Sequence, residues 1–389
     1  MKKVKRLVLV GGGHAHLAVL RKLVECRHDE WEVLLVTPST TQYYSGMLPG
    51  WIAGHYSADM IGIDLKSLAE AAGVCLIQQR VMRIDANRHR LYLEDGRRVS
   101  YDQLSLDIGS ETDLRWLSDL ANRVLAIKPL EEFQTRWAMI LQASAQQVSF
   151  RLVVVGGGAA GVELALACQH ALAARGPKVE VVLVTGSSGL LPHFSAGVQR
   201  RVARRLRDAG VIVLEHRAVA TPDGLLLDDG QLLEADQVVA ATGATAPVWL
   251  ATTDLALDEN GFIAVDAYHR SHSHQNVFAV GDVCSRSDVL LPRSGVHAVK
   301  AGPVLANNLL ATLSGQHLSS YRPSRHSLYL LSCGDRYAIA SYGRFSWEGR
   351  WVWRLKDWID RRFVRRNSLP IQRVHPNSSR EGECHESEK

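Results

Sequence analysis

The sequence has no apolar run that approaches the roughly 18 uninterrupted residues of a membrane-spanning helix, so a helical integral membrane protein is not expected. Its opening, Met1-Lys-Lys-Val-Lys-Arg-Leu-Val-Leu-Val10, has the charge of a secretory leader. Its apolar run stops after four residues at Gly11, and a first β-strand is the better reading. Cysteine is sparse and scattered: Cys26, Cys75, Cys168, Cys284, Cys333 and Cys384 include no close pair, which leaves neither a disulfide framework nor a local Cys-x-x-Cys redox centre and points to a cytoplasmic location. A formal charge of +5 is too mild to call for nucleic acid as a partner, and no metal site is expected. With 46% hydrophobic and 22% charged residues, the 389-residue chain suits a globular protein with two medium-sized cores.

Against these absences stand two glycine-rich strand-to-helix turns. Val10-Gly-Gly-Gly-His-Ala-His16 follows Leu7–Val10, and Val155-Gly-Gly-Gly-Ala-Ala-Gly161 follows Arg151–Val155. In such a unit the first glycine allows a tight turn, and the second lets backbone N–H groups reach a pyrophosphate at the positive end of a helix. A dinucleotide can therefore dock twice. The second turn has all three glycines (Gly156, Gly158, Gly161). The first has His16 where close helix–strand packing favours Gly or Ala, so its helix is expected to stand off or tilt.

A second shortage concerns acid. The second strand of each unit, Trp31–Val36 and Val179–Val184, ends in Thr37-Pro38 and in Thr185-Gly-Ser-Ser188 rather than in the carboxylate that often holds an adenine ribose. Thr37 or Ser39 can still bind a ribose diol. With no carboxylate at Thr185, NADPH is as admissible as NADH.

Along the chain, residues 40–56 read as an irregular loop, Val81–Ile84 as a strand piece, Arg90–Leu93 and Arg98–Tyr101 as a hairpin, and Gln103–Ile108 as a strand closed by Gly109. Residues 113–147 read as helical. The second lobe ends in Val238–Thr242 closed by Gly243, much as the first ends at Gly109, which suggests an internal duplication. Asn276–Val280 then ends in Gly281-Asp282, a late strand expected to complete the first sheet before a helix over about 294–313. The fold class is α/β, with two Rossmann-like three-layer dinucleotide-binding domains, the second inserted in the first. Expected boundaries are 1–112 and 247–325 for the first domain, 113–246 for the second, a strand and amphipathic helix over 326–370, and a disordered tail over 371–389.

The order of these motifs resembles the two-dinucleotide-binding-domain flavoproteins, the pyridine nucleotide-disulfide oxidoreductase superfamily, over roughly residues 4–345. The cysteine pair of its disulfide reductases is missing, and the plan is similar to type II NADH dehydrogenases. Gly11–His16, Tyr44–Gly50 with Ala53–Tyr56, and Val299–Asn308 resemble the flavoprotein module fused to selenophosphate synthetase in some organisms; no kinase-like half follows residue 389, and no selenium role is assigned. The resemblance implies FAD on Gly11, Gly13, His14 and Ala15, with Asp282 after Gly281 accepting from the ribityl chain. It implies NADH or NADPH on Gly156, Gly158, Ala159, Ala160 and Gly161, with Glu163 facing the nicotinamide. Thr37, Pro38, Val81, Gly109 and Gly243 complete the expected cofactor contacts.

Candidates around the flavin are Ser45, Met47, Leu48 and Pro49, the helix start at Val296 and His297, and Lys300. Packing roles for His14 and His16 and a surface role for Lys300 stand beside these readings. The implied activity is NAD(P)H dehydrogenation with electrons passed to a quinone-like or other acceptor. The alternatives are a sulfide:quinone oxidoreductase-like enzyme, for which Cys168 with Cys333 is the available pair, and a non-catalytic flavin or nucleotide sensor.

Between Trp347 and Arg366 there are seven basic and three acidic residues, and Trp351, Val352, Leu355, Trp358, Ile359 and Phe363 recur at helical spacing. An interfacial helix on the inner face of the cytoplasmic membrane has this pattern. A docking helix or a homodimer seam has it too.

Overall fold

The computed structural model describes residues 4–26, 30–127, 130–174 and 178–368; the tail expected over 371–389 lies outside them. Two five-stranded sheets organise the chain, each wholly parallel. The first has the order Val277–Ala279, Gln103–Leu106, Lys5–Val10, Trp31–Thr37, Cys75–Gln78. The second has the order Val124–Ala126, Gln237–Ala240, Phe150–Val155, Val179–Val184, Ile212–Leu214. In both, the glycine-turn strand is central and its helix crosses to the next strand.

Side chains alternate along the central strands, and each face finds its own layer. Leu7 and Leu9 pack with Leu17, Leu20, Leu305 and Leu309 of two helices, His14–Glu25 and Gly295–Leu313. Val8 and Val10 point the other way, into Leu91, Val99 and Ile263. The second sheet repeats this: Leu152 and Val154 meet Val162, Leu166 and Trp137, while Val153 and Val155 meet Leu225, Leu227 and Leu233 of a small antiparallel sheet. Each fully buried side chain of this size contributes about 1.5–3 kcal/mol. The three-layer α/β class expected from the sequence is thus found in both units. The chain passes between them through one antiparallel pair, Glu111–Thr112 against Ala244–Thr245.

Three expectations need correction. Residues 113–147 are not continuously helical: a 3-10 helix over Arg115–Arg123 and an α-helix over Leu130–Ser144 flank the strand Val124–Ala126, which pairs with Val238–Ala240 at the sheet edge. Three residues are too few to show a period of two. The polar stretch 40–56 is largely ordered as a strand (Thr41–Tyr43), one 3-10 turn (Ser45–Met47) and a helix (Leu48–Ile52), with Pro49 in the first turn, where its missing N–H costs nothing. Trp347 is not helical, because Phe345–Gly349 closes a three-stranded antiparallel sheet with Leu328–Ser332 and Ala338–Tyr342. Gly349, at φ +142°, makes the corner, and the helix runs over Arg350–Asn367.

Candidate active site

The first glycine turn is built around a carboxyl. Asp107 follows the strand Gln103–Leu106, and its Oδ2 accepts from the amides of Ala15 (2.8 Å) and His16 (2.9 Å), the opening N–H groups of the first helix. A Cβ on Gly13 would lie 2.3 Å from the Asp107 Cγ, and one on Gly11 2.5 Å from its carbonyl oxygen. Burial pushes the Asp107 carboxyl up to about 7 against the pull of those two amides, with Asp282 adding to the rise. His16 fills the place of the absent third glycine. Its ring is fully buried, with Nδ1 2.6 Å from the Gly11 carbonyl and Nε2 2.8 Å from Ser105 Oγ, and burial lowers it to about 4, a neutral packing histidine.

The second turn is emptier. A Cβ on Gly161 would come 1.8 Å from the Gly156 carbonyl oxygen and one on Gly156 2.2 Å from that of Ala241, yet one on Gly158 would meet nothing within 4 Å. The helix Ala159–Ala173 begins with no side-chain cap, so its first amides face that open space. A backbone cradle of this shape fits a pyrophosphate. Glu163, in the second turn of this helix, carries a buried carboxyl whose Oε1 accepts from the Ser332 amide at 2.7 Å. Burial pushes Glu163 up to about 7, while Lys356 pulls it down.

Lys356 belongs to the carboxyl-terminal helix. Its Nζ donates to the Gly46 carbonyl (2.6 Å) and to Asp360 Oδ2 (2.6 Å), and Asp360 also accepts from Tyr44. Burial works against the charge on Lys356, but Asp360 and Glu163 together hold its affinity for a proton above the usual lysine range. Tyr56 Oη donates to Asp357 Oδ1 at 2.8 Å, and Phe363 lies 4.5 Å from the Tyr44 ring and 5.9 Å from that of His14. The helix therefore straps the Tyr44–Met47 turn to the lobe that carries Glu163. Its faces are not those of a simple amphipath. Val352, Lys356, Asp360 and Val364 are buried, Phe363 and Ile359 half-buried, and Trp351 (56%), Leu355 (37%) and Trp358 (56%) exposed.

Of the other candidates, Met47, Leu48 and Pro49 are buried, Met47 in the core that also takes Val364 and Phe363 of this strap, while Ser45 is exposed. Gly281 and Asp282 line a cleft with Ser294 and His297, at the start of a helix that has no side-chain cap, next to Val296. His14 faces Tyr44 and Gly295. Thr37 is buried with Oγ1 on the Ser39 carbonyl; Pro38 and Gly243 are exposed, Val81 is buried, and Gly109 turns the chain at φ +72°. Lys300 is exposed, reaching Ser327 Oγ at 3.4 Å, and is not the lysine that meets Glu163. Cys168 and Cys333 are buried in one apolar core; burial raises both thiols, Cys333 to about 12. Lys356, Asp360, Tyr44 and Asp107 escaped the sequence reading. Only the i, i+4 spacing of Lys356 and Asp360, and an Asp inside the apolar run Leu104–Ile108, could have signalled them.

Two glycine turns, one on each parallel sheet and each opening a helix with no side-chain cap of its own, mark a flavoprotein with two dinucleotide-binding domains. The chain belongs to the family described as pyridine nucleotide-disulphide oxidoreductase, whose model matches residues 5–302. It is 28% identical to an NADH dehydrogenase-like protein of Mycobacterium tuberculosis, over 89% of each chain. It is 24% identical to the demethylphylloquinone reductase NdbB of Synechocystis, over 84% of each. The sulfide:quinone oxidoreductase structure from Aquifex aeolicus shares its fold, with a TM-score of 0.78 at 17% identity, covering 94% of this chain and 93% of that one. The protein is an FAD-dependent oxidoreductase that uses NAD(P)H.

Proposed function

We propose that this chain takes a hydride from NADH or NADPH at the Glu163 side of the cleft and passes electrons to a quinone-like acceptor that enters beneath the carboxyl-terminal helix. The observation that carries this reading is the meeting of Glu163, the Tyr44–Met47 turn and Lys356 at one place. When bound, the flavin accepts the hydride and releases electrons singly or in pairs. The chain's own residues position and shield. Gly11 and Gly13 with Asp282 would hold FAD, and the helix start at Val296 and His297, where the His297 amide is already taken by the Ser294 carbonyl, would lie beside it. Gly156, Gly158, Ala159, Ala160 and Gly161 would hold the reductant, with Gly243 beside them. Glu163, with an affinity for protons near neutrality, would keep or release a proton beside the nicotinamide without adding a fixed charge.

The demethylphylloquinone reductase among its relatives supports the quinone-like acceptor. The burial of Cys168 and Cys333 speaks against sulfide as the electron source, since the reactive form is an accessible thiolate. The open space at Gly158 speaks against a second lobe that has lost its ligand. The motif likeness to the selenophosphate synthetase-fused module bears on kinship and adds no selenium chemistry. Anaerobic mixing of the yellow protein with NADH, NADPH and sulfide in turn is the test. Bleaching by a nicotinamide, followed by recovery on adding a water-soluble quinone, is expected; bleaching by sulfide alone, or by none of the three, overturns the proposal.

The same reading includes a membrane surface. No helix among the described residues is long and apolar enough to cross a membrane. Exposed Phe345, Trp347, Trp351 and Trp358, rimmed by Arg350, Arg354 and Arg362, would dip into an anionic interface, each cation adding on the order of 1 kcal/mol within a Debye length. A paired Trp351→Ser, Trp358→Ser variant leaves the docked face intact. It should lose salt-sensitive cosedimentation with anionic vesicles. If it instead turns a dimer into a monomer, the patch is a homodimer seam.

A further inference from the structure

We infer that Asp107 couples FAD binding to the uptake of one proton, so that the first glycine turn holds its cofactor tightly only while this carboxyl is protonated. The inference rests on the reading that FAD occupies the first turn. The internal duplication provides the comparison. Asp107 and Ala241 occupy the same place in the two units: the Asp107 amide donates to the Val10 carbonyl (2.9 Å) as the Ala241 amide donates to that of Val155 (2.8 Å). The carbonyl of each crowds the first glycine of its turn, at 2.5 Å from a Cβ on Gly11 and 2.2 Å from one on Gly156. They differ at the third glycine of each run. A Cβ on Gly158 would meet open space, whereas one on Gly13 would lie 2.4 Å from Asp107 Oδ1. A fixed acid thus fills the space that the second turn leaves open.

That acid sits on the helix amides that would otherwise meet a diphosphate, with Oδ2 on Ala15 N and His16 N and Oδ1 turned toward Gly13 and Gly281. An ionised carboxylate there would repel the incoming diphosphate. A protonated one keeps the amide bonds on one oxygen and offers its O–H to a phosphate oxygen from the other. Other charged or titratable groups face it from each neighbouring element. His16 on the first helix is neutral and already bonded to Gly11 and Ser105. Among the described residues Asp282, in the Gly281–Val283 turn, is the charge that acts on Asp107, and it adds a smaller rise to that of burial. Cys284, next along the chain, is held protonated by burial at up to about 12, with Arg293 and Arg286 lowering it, and His297 on the Gly295–Leu313 helix is lowered by burial and by Lys300. Among the described residues Arg293, Arg286 and Lys300 act on those neighbours, and no cation acts on Asp107 itself. The proton offsets its charge, and it is already poised near neutrality before any ligand binds.

The test uses the full-length protein, stripped of flavin and titrated with FAD by fluorescence quenching from pH 6 to 9. Above about pH 7 the Kd should rise up to tenfold per pH unit. Calorimetry at pH 8 in two buffers of different ionisation enthalpy should count close to one proton taken up per FAD. Asp107→Asn retains an amide acceptor and a permanent N–H donor, so its Kd should be flat across this range and its proton count zero. The wild-type proton count decides the matter even if that variant does not fold. FAD bound at constant affinity with no proton uptake overturns the coupling, as does a folded Asp107→Asn protein with wild-type pH dependence. Failure of FAD to bind at every pH overturns the first-turn reading itself.

Discussion

Replacing Lys356 with Met tests whether the carboxyl-terminal strap is held by charge or by its apolar contacts. The lysine is 8% exposed, and its ammonium lies 2.6 Å from both Asp360 Oδ2 and the Gly46 carbonyl. Methionine keeps the length of the stem but leaves a buried carboxylate facing Tyr44 and Glu163 with no cation. Removing one partner of such a pair costs about 3–5 kcal/mol, because the remaining charge stays desolvated. Asp360→Leu alone should cost a similar amount. The double variant has no stranded charge, only an unpaired Gly46 carbonyl and Tyr44 hydroxyl, so its cost should fall short of the sum of the singles by about 2–3 kcal/mol. Urea unfolding of the three variants, followed by far-ultraviolet dichroism and by flavin fluorescence, gives the cycle. Single costs below about 1 kcal/mol, or strictly additive costs, would refute the idea that a buried ion pair locks the strap. In the Lys356→Met protein, Glu163 also loses the cation that pulls it down, so the pH at which reduction by NAD(P)H changes should move to the alkaline side.

Three further outcomes follow from the same geometry. Asp107 has a folded-state affinity for protons raised from 3.8 to about 7, so its ionisation costs the fold stability as pH rises through that window; flavin-free Asp107→Asn should gain on wild type by up to about 1.4 kcal/mol per pH unit there, and a pH-independent difference in unfolding free energy would refute the burial argument. Gly161→Ala should destabilise the second lobe, because its Cβ has no room, while Gly158→Ala should leave the melting temperature within a degree or two yet weaken NAD(P)H binding at least tenfold; equal effects on both readouts would count against the cradle. Arg217 Nε reaches Ser187 Oγ at 3.3 Å, at the strand end that lacks a carboxylate, so Arg217→Gln should raise the KM for NADPH about tenfold and leave that for NADH little changed, and equal changes would remove Arg217 from the recognition of a 2′-phosphate.

The parallel sheets were legible because their signal is local and repeated. Strands such as Leu7–Val10 and Leu152–Val155 are apolar on both faces, end in glycine, and lead into helices with apolar residues at helical spacing. What was lost is short or depends on distant partners. Val124–Ala126 is a strand only because Val238–Ala240 offers it an edge. The Tyr44–Ile52 segment, rich in glycine and aromatics, reads as loop until Ile61, Ile63 and the carboxyl-terminal helix cover it. His16 was legible as an anomaly, but its two ring partners, Gly11 and Ser105, could not be read from the turn itself.

The carboxyl-terminal helix shows why a hydrophobic stripe does not by itself say which face is buried. Counted by residue type, Trp351, Leu355 and Trp358 should lie inside and Lys356 and Asp360 outside. The reverse holds, because Lys356 and Asp360, one turn apart, neutralise each other and find a carbonyl and a tyrosine waiting on the lobe they cover. Burying a charge pair is rarely a route to stability, and a Leu or Met pair at these positions would pack at least as well. What an apolar pair could not supply is a charge beside Glu163. On the function proposed above, the ion pair would serve the site around Glu163, and the tryptophans left exposed by its burial are the residues that the vesicle experiment with Trp351→Ser and Trp358→Ser tests.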